Sequence, residues 1–220
     1  MSSQTKRRLK IYLPIAISLL IIVAVIVIIL LSNKITAKDY FNAVNTPNYS
    51  KQLQTTTITE NDVLIYEKIE TIIFDGDNVY HQIKEKTVSA DINKDFDETT
   101  TEFYYSKDKM YYFENNVWNV EDFTLSEKLK TYDLKTEYFE TLEFNKKIET
   151  EGCLKGKLKD GSVAKVFSGL DYTNANLVII VNKDLKVQKF NINAKTSSNR
   201  DVKIENVYTY SNENVVLPIQ

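Results

Sequence analysis

The sequence predicts an α+β domain built on an antiparallel sheet, preceded by an N-terminal transmembrane helix. Three observations support this prediction. Residues 11–31 form an uncharged aliphatic run, many later segments alternate polar and apolar side chains with period two, and a few short segments show helical spacing. Five glycines and three prolines leave little room for a linker, so we expect a single domain over 33–220.

The N-terminal run reads IYLPIAISLLIIVAVIVIILL and contains no charge. At about 1.5 Å rise per residue it would span about 30 Å, the thickness of the hydrocarbon core of a bilayer. It lacks the polar face that a helix on the surface of a globular core would show. We therefore predict a transmembrane signal anchor over 11–32, preceded by a basic tail over 1–10.

The charges that flank this run predict its orientation. Four cations lie within 6–10, whereas Lys34 and Lys38 are the cations that follow closely. Because the side with more cations stays in the cytoplasm, the domain is predicted to be extracellular, on a single-pass cell-membrane protein. The alternative is a cleaved signal peptide. The run is longer than the usual core of about 7–15 residues, and Ile35 occupies a cleavage-site position that needs a small side chain.

The composition of the domain restricts its partners. Six of the 28 cations lie in the first 38 residues, so the rest carries 22 cations against 30 acids, a net charge of −8. An acidic domain of this kind is not expected to bind nucleic acid or anionic headgroups through a flat surface. Cys153 is the single cysteine, so no internal disulfide can form. The many Tyr, Ile, Lys and Asn residues are typical of a bacterium with an AT-rich genome.

The alternating patterns and turn residues place the elements along the chain. We predict about eight long strands, interrupted by one or two helices. The elements in order are a short helix at 39–44, strands at 49–59, 62–74 and 79–88, a polar loop at 89–98, strands at 100–106, 110–114 and 117–120, a helix at 124–146, a strand at 150–159, a short helix capped by Ser162, and strands at 176–181, 185–195 and 201–210.

No motif for catalysis, nucleotide binding or metal binding is present, so we expect no enzymatic activity, no cofactor and no metal. His81 and Cys153 could formally make a catalytic pair. His81 alternates with Val79 and Ile83 in a predicted strand, however, and this favours a structural role. The acids of 91–98 lack the spacing of a calcium loop and indicate a solvated loop.

Aromatic residues are concentrated at 103–118 and are the strongest indication of a binding site. One interpretation is that they form cross-strand pairs within an ordinary core. The other is an apolar sheet face that holds an acyl chain or a hydrophobic peptide. The candidate ligand-binding residues are Phe103, Tyr105, Tyr111, Phe113 and Trp118.

Three groups of residues carry a family resemblance, namely Asp75-Gly76 with Val79-Tyr80, Met110-Tyr111-Tyr112-Phe113 with Trp118, and Val215-Val216-Leu217-Pro218. Together with the order of elements, they resemble the LolA-like and LppX-like lipoprotein-carrier superfamily of bacterial envelopes. This resemblance covers most of 37–220. The resemblance implies an open half-barrel, a strongly curved sheet covered by one or two helices, whose concave face can hold a lipid.

The sequence therefore leads us to expect a membrane-anchored, extracytoplasmic binding module of a bacterial cell envelope, with a lipid or another hydrophobic ligand. The alternative is a structural or interaction protein with a filled core that recruits an envelope protein. The two differ in one observation. A pocket larger than about 300 Å³ between the predicted helix at 124–146 and the sheet favours the binding module, whereas the absence of an internal cavity there favours the interaction protein.

Overall fold

A computed structural model describes residues 20–25, 34–45, 49–89, 95–123, 132–166, 172–211 and 214–218. The chain divides into two compact units, Met1–Ile35 and Thr36–Gln220. Most of the predicted transmembrane run lies outside the described residues, and the part that is described, 20–25, is helical with exposed side chains. Within the described ranges, no helix has both the length and the apolar character needed to cross a bilayer.

In the second unit, the described residues form one sheet of eleven strands. They are β1 (Lys51–Glu60), β2 (Val63–Asp75), β3 (Asn78–Val88), β4 (Phe96–Ser106), β5 (Lys109–Glu114), β6 (Val117–Asp122), β7 (Phe139–Phe144), β8 (Glu151–Leu158), β9 (Tyr172–Asn182), β10 (Val187–Thr196) and β11 (Asp201–Thr209). The described part of this unit also contains three short helical segments, namely α1 (Ala37–Asn45), a 3₁₀ turn (Thr136–Tyr138) and α2 (Val163–Val166).

The strand order across the sheet is β6-β5-β4-β3-β2-β1-β11-β10-β9-β8-β7. Every neighbouring pair is antiparallel, and β1 joins the two halves by pairing with β11. The predicted antiparallel sheet with few helices is confirmed, and the arrangement is consistent with an open curved sheet.

Two hairpin turns form as their residues predict. Asn115 and Asn116 join β5 to β6 with φ of 53° and 63°, the left-handed region that asparagine tolerates. Gly76 joins β2 to β3 with φ of 58°. A side chain at this glycine would be strained, so this turn depends on the residue that occupies it.

Most of the core lies on one side of β8–β11. We call this side the inner face, and in β11 it carries the buried residues Val202, Ile204, Asn206 and Tyr208. The pairing of the strands extends it through the buried residues Leu154, Leu158, Ala175, Leu177, Ile179, Val181, Val187, Phe190, Ile192 and Ala194. Burial of these apolar side chains provides the main stabilisation of this half of the sheet.

Helix α1 packs against β9 and β10. Its start is fixed by Thr36 and Asp39, because the Asp39 carboxylate accepts hydrogen bonds from the Thr36 backbone N–H and hydroxyl, both at 2.7 Å. These bonds hold the pKa of Asp39 below its ordinary value. One face of the helix is apolar: Tyr40, Phe41 and Val44 are buried, and Phe41 stacks on a phenylalanine of β7 with 5.2 Å between ring centroids.

The predicted helix at 124–146 is wrong over its second half. Residues 124–131 lie outside the described ranges, but residues 139–144 form strand β7. A register shift between Phe139 and Thr141 places Phe139 and Leu142 opposite inner-face residues of β8. This bulge produces the three-residue apolar spacing that imitates a helix. Pairing with β8 then decides the conformation.

Candidate ligand site

The five aromatic residues proposed as one ligand-binding face lie on opposite sides of the sheet. Phe103 and Tyr105 are on the inner face, because they pair with His81 and Val79 of β3. Tyr111, Phe113 and Trp118 are on the outer face, as the register of β4, β5 and β6 shows. The prediction of a single aromatic face is therefore wrong. Alternate residues share a side within one strand, but the hairpin between β4 and β5 places the odd-numbered residues of these two strands on opposite sides of the sheet.

The two inner aromatics belong to a small packed cluster. Tyr105 is 5% exposed and packs with Ile72 and Val79, and Phe103 lies against the same group. Phe103 and Tyr105 stack with 6.3 Å between ring centroids. Phe103 and Tyr105 therefore agree with the interpretation that these aromatic residues pack in an ordinary core.

The outer aromatics form a ring cluster near the edge of the sheet. Trp118 contacts Tyr104 edge-on at 5.5 Å and Phe113 at 5.3 Å between ring centroids. Phe113 is 51% exposed, and Val120 nearby is 48% exposed. This surface is apolar and open.

A pocket of about 570 Å³ that is open to solvent, called the cavity below, lies where β1, β2 and β3 meet the β10–β11 turn. Its volume falls within the range of about 300–1,000 Å³ that is usual for ligand pockets. The lining residues are Ile58, Ile65, Tyr66, Thr87, Val88, Thr196, Ser198 and Arg200. Aliphatic side chains from the first three strands thus share the cavity with hydroxyls and a guanidinium, so the site suits a molecule with an apolar and a polar part.

The polar wall of the cavity comes mainly from the β10–β11 turn. Thr196 holds this turn through its backbone N–H, which donates to the Arg200 carbonyl at 2.9 Å, and through its hydroxyl, which accepts the Arg200 N–H at 3.1 Å. The Thr196 and Ser198 hydroxyls are hydrogen-bonded to each other at 2.9 Å. The Arg200 guanidinium lies 3.3 Å from the Glu60 carboxylate at the end of β1.

A hydrogen-bonded polar network lines the inner face beside the cavity. The Tyr132 hydroxyl donates to Gln54 at 2.9 Å, and the Gln54 amide donates to Glu70 at 2.8 Å. Further along β1, the Gln52 amide donates to Asn206 of β11 at 2.9 Å. Gln52 and Asn206 are 1% and 0% exposed, so both depend on these partners to remain buried.

Glu70 is the ionic centre of this network. Its carboxylate lies 2.9 Å from the Lys68 ammonium and 3.4 Å from Nε2 of His81. The His81 nitrogen is buried and makes no well-aligned hydrogen bond within the described part of the chain. Burial raises the pKa of Glu70, but His81 and Lys68 outweigh this effect, and the pKa lies below its ordinary value. Glu70 therefore stays ionised on the inner face.

Sequence reasoning missed this polar inner face. In β2, Lys68 and Glu70 lie on the inner side of the strand together with Ile72. The available signal was the run of polar residues at alternate positions in β1, including Gln52 and Gln54. Polar side chains on the buried side of a strand need partners, and such a run indicates a network.

The candidate catalytic pair of His81 and Cys153 is not brought together. His81 is on the inner face of β3, and Cys153 is on the outer face of β8, since Leu154 beside it faces inward. Five strands lie between β3 and β8 in the sheet. Among the described residues, no group of three or more His, Cys, Asp or Glu side chains could hold a metal ion.

The chain is similar to LprF. The similarity to the crystal structure of LprF from Mycobacterium bovis covers 84% of this chain and 98% of that chain, with 11% sequence identity and a TM-score of 0.43. The cavity and the network are defined by this chain's own residues.

A second solved structure, an N-terminal dehydratase from the difficidin assembly line, is similar over 76% of this chain and 79% of that chain, with 8% identity and a TM-score of 0.17. No protein-family model matches the sequence, and no curated protein matches it either.

Proposed function

We propose that this protein is a binding module whose cavity holds the apolar part of an amphipathic ligand such as a lipid, and that it acts by binding, without catalysis. The observation that supports this proposal is the 570 Å³ cavity with aliphatic side chains on one wall and hydroxyls and Arg200 on the other. Removing an acyl chain from water into such a cavity stabilises the complex in proportion to the area buried.

The polar network beside the cavity supports the same proposal. Tyr66 lines the cavity, and Lys68 is the next residue of β2 on the same face. An amphipathic molecule therefore meets an apolar wall and charged or polar groups within one short stretch of sheet. A purely structural core would be expected to keep ionised groups such as Lys68 and Glu70 away from its inner side.

The proposal is tested by photocrosslinking with a palmitic acid that carries a diazirine in its chain. The full-length protein in isolated membranes is irradiated with the probe, and the labelled peptides are identified by mass spectrometry. We expect label on 58–66 and on 87–88. Val88→Asp should reduce that labelling by at least about fivefold, because an acyl chain would then lie against a charge.

Val207→Asp is the matched control, since Val207 is 42% exposed on the outer face and Val88 is 55% exposed at the cavity. The control should be labelled as strongly as the wild type. The proposal fails if the cavity peptides are not labelled, or if both variants lose label equally.

A second candidate function is recruitment of a protein partner through the outer aromatic surface. The exposed Phe113 and Val120 beside Trp118 are the observation that favours it. Large exposed apolar patches are frequent at interaction sites. If the purified protein has an empty cavity and the acyl probe does not label it, these results would favour this alternative.

We further propose that 11–32 anchors the protein in the cell membrane and that the domain is extracellular, as part of a bacterial envelope. The support is the uncharged run of 11–31 and the excess of cations before it. In cells stripped of wall, added protease should digest the domain after Lys38 and leave a membrane-bound fragment that contains 11–31.

Replacing the cations Lys6, Arg7, Arg8 and Lys10 with neutral residues should produce a fraction of inverted molecules, because the charge asymmetry that sets orientation is removed. Replacing Lys34 and Lys38 instead is the control and should leave the domain accessible. A wild-type domain that resists protease would contradict the orientation, and a mature N-terminus near residue 38 would show that the anchor is cleaved.

A further inference from the structure

We infer that the cavity selects amphipathic ligands with an anionic headgroup, a carboxylate or a phosphate, and that Arg200 is the specificity-determining residue that receives it. This inference rests on the proposed function and names the class of ligand. It depends on the placement of Arg200, on the weak engagement of its guanidinium and on the division of the cavity into a polar and an apolar wall.

Arg200 is held in position before any ligand arrives. Its backbone N–H and carbonyl are both bonded to Thr196, and Asn199 closes the turn with φ of 63°. The β10–β11 hairpin therefore fixes the point from which the Arg200 side chain extends into the cavity wall. A fixed starting point lowers the entropy lost when a side chain binds a ligand.

The guanidinium of Arg200 is only loosely satisfied. It faces Glu60 with Nε–Oε1 at 3.3 Å and Nη2–Oε2 at 3.5 Å, whereas strong bonds between charged groups are about 2.7–2.9 Å. The two side chains are 42% and 49% exposed, so the pair is open to solvent and exchangeable. Within the described ranges, no hydrogen bond involves Nη1 of Arg200. A carboxylate or a phosphate can bind this fork with two parallel bonds.

Neighbouring charges do not offer a competing site for the anion. Lys195, close to the same turn, is 3.0 Å from Asp201, and Lys203 is 3.0 Å from Glu205. Glu85 accepts a hydrogen bond at 2.8 Å from the hydroxyl of Tyr66, a lining residue. Among the described residues, Arg200 is thus the cation that lines the cavity.

The lining orients the ligand. The hydroxyls of Thr196 and Ser198 stand beside Arg200 and can donate to an anionic headgroup, while Ile58, Ile65 and Val88 form the aliphatic part of the lining. The headgroup would lie at the β10–β11 turn and the chain against β1, β2 and β3. Glu60 then acts as an internal competitor that the headgroup displaces from the guanidinium.

The test compares three ligands with the same twelve-carbon chain, namely dodecanoate, dodecanol and dodecylammonium. Each competes against the diazirine probe on the full-length protein, with label on 58–66 and 87–88 as the readout. We expect dodecanoate to compete about tenfold better than dodecanol, since a hydrogen bond to a charged group contributes at least that much. Acetate and inorganic phosphate should not compete, because they lack the chain.

Two variants assign the effect to Arg200. Arg200→Gln should abolish the preference for dodecanoate over dodecanol, and it should also weaken labelling by the palmitic acid probe, whose carboxylate is an anionic headgroup of the same class. Glu60→Gln should increase the preference for dodecanoate over dodecanol several-fold, because the internal competitor loses its charge. Arg200→Lys should retain part of the preference, since a lysine keeps the charge without the planar fork.

Equal competition by dodecanoate and dodecanol, unaffected by Arg200→Gln, would overturn the inference while the proposed function stands. Stronger competition by dodecylammonium would overturn it in favour of a cationic headgroup at Glu60. Competition by acetate or phosphate alone would show a free-anion site in place of one for amphiphiles. Failure of all three ligands and of the probe itself would refute the proposed function, and the inference with it.

Discussion

Phe190→Ala is expected to lower the free energy of unfolding of the 36–220 unit by about 3–5 kcal/mol. Phe190 is fully buried on the inner face of β10, opposite Ile179 of β9 and Asn206 of β11. Its ring meets Tyr132 edge-on with 4.6 Å between centroids. Truncation would remove the apolar contacts and leave a cavity in a part of the sheet whose neighbours are also fully buried and cannot easily collapse.

Asn191→Ala is the matched control, because Asn191 is the next residue and lies half-buried on the outer face. Its change should stay within about 0.5 kcal/mol. Urea unfolding of the full-length protein, followed by near-UV circular dichroism, measures both. A loss below about 1 kcal/mol for Phe190→Ala would show that the interior of this half is not close-packed.

Asn206→Ala is expected to lower the free energy of unfolding by about 2–4 kcal/mol, since two buried groups lose their partners. The Asn206 amide donates to the Phe190 carbonyl at 2.9 Å, and its oxygen accepts from Gln52 at 2.9 Å. With Asn206 fully buried, no water is at hand to replace either bond. The substitution would therefore leave a donor and an acceptor without hydrogen bonds inside the sheet.

Asn193→Ala provides the control on exposed outer-face surface of β10, and it should have little effect. The double variant with Gln52→Ala separates the network from simple loss of packing. If the two side chains act together, their combined effect will fall short of the sum by about 1 kcal/mol. Additive losses would show that the Gln52–Asn206 bond contributes nothing of its own.

Several features of the fold could be predicted from short stretches of sequence. Asn115 and Asn116 specify a turn with positive φ, and the spacing of Tyr40, Phe41 and Val44 specifies the apolar face of α1. These features depend on backbone preferences and on neighbours a few residues away. Local interactions of this kind are the same in any fold, so the sequence is sufficient to predict them.

The candidate site could be predicted much less well. Arg200 sits in a turn that sequence reasoning passed over, and Ile58, Tyr66 and Val88 were assigned to strands without any indication that they share a cavity. The five aromatic residues that were chosen lie elsewhere, on both faces of the sheet. A cavity is formed by residues far apart in the chain, and no local pattern reports how the strands that carry them are arranged.

The sequence by itself determined that this protein has an antiparallel sheet, where most strands begin and end, and which turns connect them. Only the tertiary structure decided which side of each strand faces inward, that 139–144 pairs with β8 as a strand, and that Glu60 meets Arg200 beside a cavity. Period-two alternation shows which residues share a side of a strand, but it does not show which of the two sides faces inward. The inward side is chosen when β1 pairs with β11, because that pairing aligns Gln52, Gln54 and Thr56 with the buried residues of β11.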